Sequence, residues 1–245
     1  MPKAYLTIDD SPSARFTDLV EFLAARKIPA LLFMRGDLLE GNMAVASWAV
    51  EQGFALGNHG YAHIAAGELG FERWCDDFEK TERLIDLVYE CAGQQRDFRT
   101  YRFPYIDRGD GVRVERAAAQ GKTGGEGNAI TDHSDVRRIQ DYLKQRGVRQ
   151  PFTNMPADYP SAAADSLFTY TSGDWMLTAR HKGKWDYKTL DDLKARIDND
   201  ARLQDESVHH VLLMHDQAEI HNDVCALIDY MCDKDFKFLD FGSKA

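Results

Sequence analysis

The chain reads as an α/β protein whose mainly parallel sheet closes into a barrel, and three observations lead there. Short, β-rich apolar runs alternate with helical patterns along 245 residues, an order that gives parallel strands joined by crossover helices. That length, with 44 % hydrophobic and 29 % charged residues, suits one domain with a sizeable core better than two small ones. Five polar clusters stand at the ends of strand-like runs: Asp9-Asp10, His59 with His63, Arg102 with Pro104-Tyr105, Asp174-Trp175 and His215-Asp216. An open doubly wound sheet gathers its ligand at one switch point, whereas a barrel collects groups from the ends of many strands. Clusters spread over most of the chain favour the barrel, and acids, histidines and an arginine recurring on one rim point to an enzyme.

Lys3 to Ile8 is a first strand, stopped by two acids. Phe16, Leu19, Val20 and Leu23 then repeat at helical spacing until Pro29 closes the helix. Ala30 to Met34 is a second strand, Asn42 to Gln52 a helix ended by Gly53, and Phe54 to Gly57 a brief third strand. The longest helical stripe joins Phe71, Trp74, Cys75, Phe78, Ile85 and Val88. Further strands are expected at Phe98 to Phe103, Arg149 to Thr153, Leu167 to Thr171, Val208 to Met214 and Phe236 to Phe241, and helices near Asp132 to Arg146, Tyr187 to Asp200 and Asn222 to Cys232. Gln120 to Asn128 is too rich in glycine for an element interior, and Asn154 to Asp165, with Pro156 and Pro160, reads as a long connection. No repeat or low-complexity linker divides the chain, so residues 1–245 are taken as a single domain with an irregular insertion around 120–165.

Composition removes several classes of function. A net charge of -10 argues against a nucleic-acid partner, since phosphate binding concentrates Lys and Arg on a face. No apolar run is long enough for a membrane span. Cys75, Cys91, Cys225 and Cys232 form no C-x-x-C pair, so no thiolate zinc site is signalled; Cys75, Cys225 and Cys232 sit in helical patterns as small hydrophobes. Met1-Pro2-Lys3 runs almost directly into a strand, leaving no room for a signal peptide. The expected location is the cytoplasm, or the periplasm or exterior if an export signal has been removed; the oligomeric state is left open.

Each cluster has a bland reading beside the chemical one. His59 and His63 share a face if their segment is helical, and with a carboxylate they would form a two-histidine, one-acid metal site. Alone, such a pair is more often solvated surface. Asp9 and Asp10, adjacent on extended backbone, point apart, so one can bind metal while the other faces water; two acids after a strand are otherwise a helix cap and a solvated neighbour. Arg102 at the end of an apolar strand needs a carboxylate partner if buried, and Pro104 restrains the chain so that the next N–H is aimed. Asp174 and Asp216 would otherwise be capping acids, Trp175 a core aromatic, and His215 a histidine bonded to backbone.

Taken in order, the clusters resemble the motifs of the polysaccharide deacetylase family, carbohydrate esterase family 4, also called the NodB-homology domain. Thr7-Ile8-Asp9-Asp10-Ser11 is similar to its T-F-D-D-G, His59-Gly60-Tyr61-Ala62-His63 to its two-histidine motif, in which Ser or Thr follows the first His, and Arg102-Phe103-Pro104-Tyr105 to its R-x-P-[YF]; Asp174-Trp175 and Leu213-Met214-His215 complete the set. The resemblance covers residues 7 to 215. It implies a distorted (β/α) barrel of seven or eight strands and a metal-dependent deacetylase acting on acetylated amino sugars or glycans of the chitin or peptidoglycan type. It implies Asp10, His59 and His63 as ligands of a divalent metal, most often zinc, with Co2+, Ni2+ or Mn2+ as alternatives. It also implies Asp9 as base, His215 as acid, Arg102 tethering the base, Asp174 orienting the acid, Trp175 and Leu213 lining the acetyl pocket, and the Tyr105 N–H as oxyanion donor.

Two departures stand out. Ser11 replaces the usual Gly, which matters if the backbone there needs positive φ, and Gly60 replaces the usual Ser or Thr, removing a hydroxyl that could stiffen the histidine loop. Other amides or esters are the rival substrates: O-acetyl-xylan, a formamido sugar or a small cyclic amide. A carbohydrate-binding barrel without turnover is the non-enzymatic alternative, and intact Asp9 and His215 argue against it.

Overall fold

A computed structural model describes residues 1–111, 134–157, 159, 162, 164 and 168–241. Its spine is β1 (Lys3–Ser11), which pairs in parallel with β5 (His209–His215) from Lys3 to Asp9. Leu6 to Ser11 of β1 also pair with β2 (Ala30–Met34), while Lys3 and Ala4 pair with β6 (Lys237–Phe238). β3 (Ala55–Asn58) lies beyond β2, and β4 (Tyr170–Thr171) beyond β5, giving the order β3-β2-β1-β5-β4 with every pair parallel. Past β3 the sheet curls on through single bridges, Asn58 to Tyr101 and Arg99 to Val148.

Alternation along the strands divides the interior into two sides. Ala4, Leu6 and Ile8 join Leu32, Met34, Leu212 and Met214 in the core beneath the helices, whereas Tyr5, Val211 and Leu213 form a separate apolar cluster inside the barrel with Phe168. Side chains two apart share a face, so Tyr5, Thr7 and Asp9 make one inward column and Val211, Leu213 and His215 the column beside it. Both columns are apolar at the N-terminal end and ionisable at the C-terminal end. Tyr5 packs against Phe152 and Phe241 at ring separations of 5.3 Å, filling the lower end.

The helices follow the apolar periods. Phe16, Leu19, Val20 and Leu23 bury one face of α1 (Phe16–Arg26), each contributing roughly 1.5–3 kcal/mol, and Lys27 stops it in the left-handed conformation at φ 56. Then come α2 (Gly36–Leu39), α3 (Met43–Glu51), α4 (Ala66–Leu69), α5 (Phe71–Cys91), α6 (Ser134–Gln145), α7 (Leu190–Asn199) and α8 (His221–Asp233). A reciprocal pair of bonds between Thr189 and Asp192 starts α7.

Three expectations need correction. Phe98 to Phe103 and Arg149 to Thr153 are not full strands, because each holds its neighbour by an isolated bridge, seconded by the Arg149 N–H to Arg99 carbonyl bond at 2.9 Å. Cys232 is exposed rather than packed, while Cys75 and Cys225 are partly buried. His59 to His63 form a loop, not a turn of helix. The loop expected at Gln120 to Asn128 lies outside the described residues, as do Leu167 and part of the insertion at 120–165. Among the described residues, no helix is long and apolar enough to cross a membrane.

Candidate active site

All five polar clusters lie at the C-terminal ends of the parallel segments. Asp9 is the last inward residue of β1, is 3 % exposed and stands directly across from His215 in the ladder. Its Oδ1 accepts a hydrogen bond from Arg102 Nη1 at 2.6 Å. The same Nη1 donates to Thr7 Oγ1 at 2.8 Å, and the guanidinium lies 4.3 Å from the centre of the Phe33 ring. Arg102, 1 % exposed, thus has the buried carboxylate partner its position demands.

Asp10 turns away from the strand. Its φ is 65, an excursion that Asp tolerates better than most residues. This positive φ falls one residue before Ser11, so Ser11 does not carry the backbone demand that its substitution for Gly raised. The turn redirects the Asp10 carboxylate toward the histidines: Oδ1 is 3.1 Å from His63 Nε2 and 3.8 Å from His59 Nε2. Its Oδ2 accepts from Gln217 Nε2 at 2.6 Å. Burial would raise the Asp10 pKa, but the imidazoles of His63, His215 and His59 more than offset it and hold the carboxyl well below the usual range.

His59 is oriented by its own backbone surroundings. Nδ1 bonds the Arg102 carbonyl at 2.8 Å, which places the proton on Nδ1 and leaves Nε2 as a lone-pair donor. Burial pushes its pKa down to about 4, against the pull of Asp9, so the ring is neutral at neutral pH. One donor atom each from Asp10, His59 and His63 lies within 4.8 Å of the others. Asp10 Oδ1 is buried without a hydrogen bond of good geometry. A buried carboxylate oxygen facing two imidazole nitrogens fits a divalent cation, the more so because the donors are those zinc and its neighbours prefer.

His215 ends β5 beside Asp174, which is fully buried. Asp174 Oδ1 accepts from the His215 ring at Nδ1, 3.0 Å away, and Oδ2 from the His215 backbone N–H at 2.8 Å. Ser172 Oγ steadies the carboxylate at 2.7 Å. Burial disfavours the charged ring, yet Asp174, with Asp10 and Asp9 behind it, more than offsets this and pushes the His215 pKa up to about 9. Tyr105 follows Pro104 in a left-handed turn at φ 56, and its ring meets His63 edge-on at 4.7 Å. Leu213 sits in the inner apolar cluster, and Trp175 packs edge-on against His181 and Trp185 at 5.0 and 5.3 Å. A cleft of about 500 Å³ opens beside Asp10, lined among others by Arg35, Thr178, Arg180, His181 and Gln217.

Several members of the site were not visible in the sequence. Gln217 follows the histidine motif by two residues but carries no motif signal. Asn58 and Asp77 hold the histidine loop: Asn58 Oδ1 accepts from the Gly60 N–H at 2.8 Å, and Asp77 from the Tyr61 N–H at 2.6 Å and the Ala62 N–H at 2.9 Å. Asp216, expected as a cap, binds the N–H and Oγ of Ser13, tying the β1 turn to the end of β5.

The polysaccharide deacetylase family model matches residues 1–123, and the chain belongs to this family. No curated protein matches it. Among solved structures it is similar to a carbohydrate esterase of family 4 from Streptococcus mutans, with a TM-score of 0.63 and 16 % identity over 98 % of this chain and 86 % of the other. It is likewise similar to a family 4 carbohydrate esterase from Streptomyces lividans in complex with acetate, with a TM-score of 0.60 and 17 % identity over 97 % and 91 %. A pseudoenzyme of the same family from Bacillus anthracis aligns at a TM-score of 0.55 and 16 % identity over 97 % and 63 %. At these identities the likeness concerns the fold, the distorted α/β barrel.

Proposed function

We propose that the chain is a single-domain, divalent-metal-dependent hydrolase that removes N-acetyl groups from an amino sugar or its oligomers and polymers. The observation that carries this reading is the pair of separately tethered proton-transfer groups, Asp9 held by Arg102 and His215 held by Asp174, beside the donor triad Asp10, His59 and His63. Zinc suits those donors best, with Co2+, Ni2+ and Mn2+ as alternatives. When bound, such a cation polarises an amide carbonyl and acidifies water.

The chain's own residues then divide the remaining work. Asp9, fixed by Arg102 and Thr7, accepts the proton of the attacking water. Tyr105, in its left-handed turn, offers its N–H to the oxygen that gains charge as the carbonyl becomes tetrahedral. An amine leaves poorly without a proton. His215, kept protonated by Asp174, supplies it through Nε2 as the carbon–nitrogen bond breaks. Trp175 and Leu213 are assigned to the acetyl methyl, and the open cleft beside Asp10 gives room for a sugar. Binding without turnover would leave both tethered pairs without a use.

Release of acetate from an acetylated chito-oligosaccharide tests the reading. Activity is expected to vanish on chelation, return with zinc, and fall about 10²–10⁴-fold in kcat in Asp9→Asn. Turnover that survives both treatments would overturn it, and activity confined to O-acetyl-xylan, a formamido sugar or a cyclic amide would move the substrate while keeping the chemistry.

A further inference from the structure

Between the two histidines of the donor triad lie Gly60, Tyr61 and Ala62, and their peptide groups are gripped from two directions. The Gly36 and Asp37 N–H groups donate to the carbonyls of Gly60 and Tyr61, both at 2.9 Å. From the other side the Asp77 carboxylate accepts from the Tyr61 N–H at 2.6 Å and the Ala62 N–H at 2.9 Å. Gly36 makes room for this: a Cβ there would fall 2.5 Å from both Thr81 Oγ1 and the Tyr61 ring. The loop therefore lies wedged between the α2 turn and the middle of α5.

Asp77 is well placed to fix that loop. Trp74 and Phe78, buried completely on either side of it in the sequence of α5, pin this part of the helix to the core, so the Asp77 backbone has little freedom. Gly60 has φ +74, and a Cβ on it would meet Asp77 Oδ1 at 2.9 Å, so the carboxylate fills the space that a side chain at position 60 would need. A non-helical H-x-x-x-H has no internal ladder to set the spacing of its imidazoles, and an outside anchor must do so. We propose that Asp77 is the positioning residue that shapes the His59–His63 loop for metal capture. The proposal rests on the metal reading above and adds to it a residue that touches neither metal nor substrate.

Two measurements on the 245-residue chain test it. Zinc and cobalt(II) affinities by competition with a chromogenic chelator should weaken about 10–100-fold in Asp77→Ala. In the metal-free protein, hydrogen exchange at the Tyr61 and Ala62 amides should quicken by about tenfold or more while amides in the core of α5 keep their protection. Asp77→Asn, of the same shape but with one acceptor oxygen, should lie between wild type and Asp77→Ala, and it serves if the alanine variant does not fold. Metal affinities within twofold of wild type in both variants, with wild type binding normally, would overturn the positioning role alone. Failure of the wild-type protein to bind either ion would overturn the metal reading and this inference with it, even where the exchange data show the loop loosened.

Discussion

At the scale of single residues, the strongest electrostatic contrast is between the buried His59 and the partly buried His215. His59 is driven toward neutrality, with a pKa of about 4, and His215 toward the cation, with a pKa of about 9. One can then donate a lone pair and the other a proton at the same pH. Because the folded pKa of His215 lies above its ordinary value of 6.5, its stabilising contribution is complete below about pH 6.5 and disappears as pH rises through about 9. The pH profile of kcat/KM should therefore show a basic limb near 9, and Asp174→Asn should bring that limb down toward 6.5, with lower rates throughout. An unmoved limb would assign it to another group. Asp9, Arg102 and His215 were legible in the sequence because a charged residue at the end of an apolar run is costly unless paired. Gln217 and Asp77 were not. Their partners are a carboxylate 207 residues away and two backbone amides, and no local spacing announces either.

Among the elements, α5 links the core to the site. Its buried stripe includes Trp74, Phe78, Ile85 and Val88, and its polar residues Asp77 and Glu82 reach the histidine segment, the latter through Asn58 at 3.0 Å. Glu82 is itself paired with Arg96 at 2.8 Å. Phe78→Ala should destabilise the protein by about 3–5 kcal/mol in urea unfolding, because its ring stacks on Trp74 at 5.6 Å and meets Tyr101 and Tyr142. A loss below about 1 kcal/mol would show that this cluster is not part of the cooperative core. The 3.6-residue period made α1, α3, α5 and α8 legible to within about three residues at their ends. Phe98 to Phe103 misled because an apolar run records burial, not the number of ladder bonds its neighbours provide. The same limit applies to His59 and His63, whose four-residue spacing fits a helix as well as the loop the chain adopts.

For the whole molecule, the arrangement joins parts remote in sequence. β1 and β5 lie more than 200 residues apart yet supply the adjacent ladder positions Asp9 and His215, while Asp10, His59 and His63 come from β1 and the loop after β3. Under the proposed metal reading, ligation of these elements in the folded state alone stabilises the fold. Zinc at about 100 times its dissociation constant should add about 2.7 kcal/mol to the unfolding free energy, read as a rise in Tm that chelator reverses and that Asp10→Asn reduces. A Tm indifferent to metal would contradict ligation by the native state. The alternation of strands and helices made the parallel barrel legible along most of the described residues. Its curled edge was harder to foresee, since Tyr101 and Val148 are joined to it by single bridges.

The pairing of Asp9 with His215 across β1 and β5 has one more consequence. Their backbones are separated by an interstrand repeat, about 4.8 Å, which every neighbouring residue pair in the ladder helps to maintain. Loop replacement around the rim can reshape what enters the cleft without altering that repeat. Under the proposed reading, recognition and reaction are thus free to change independently: loops around the rim select the acylated substrate while Asp9 and His215 keep the same pitch.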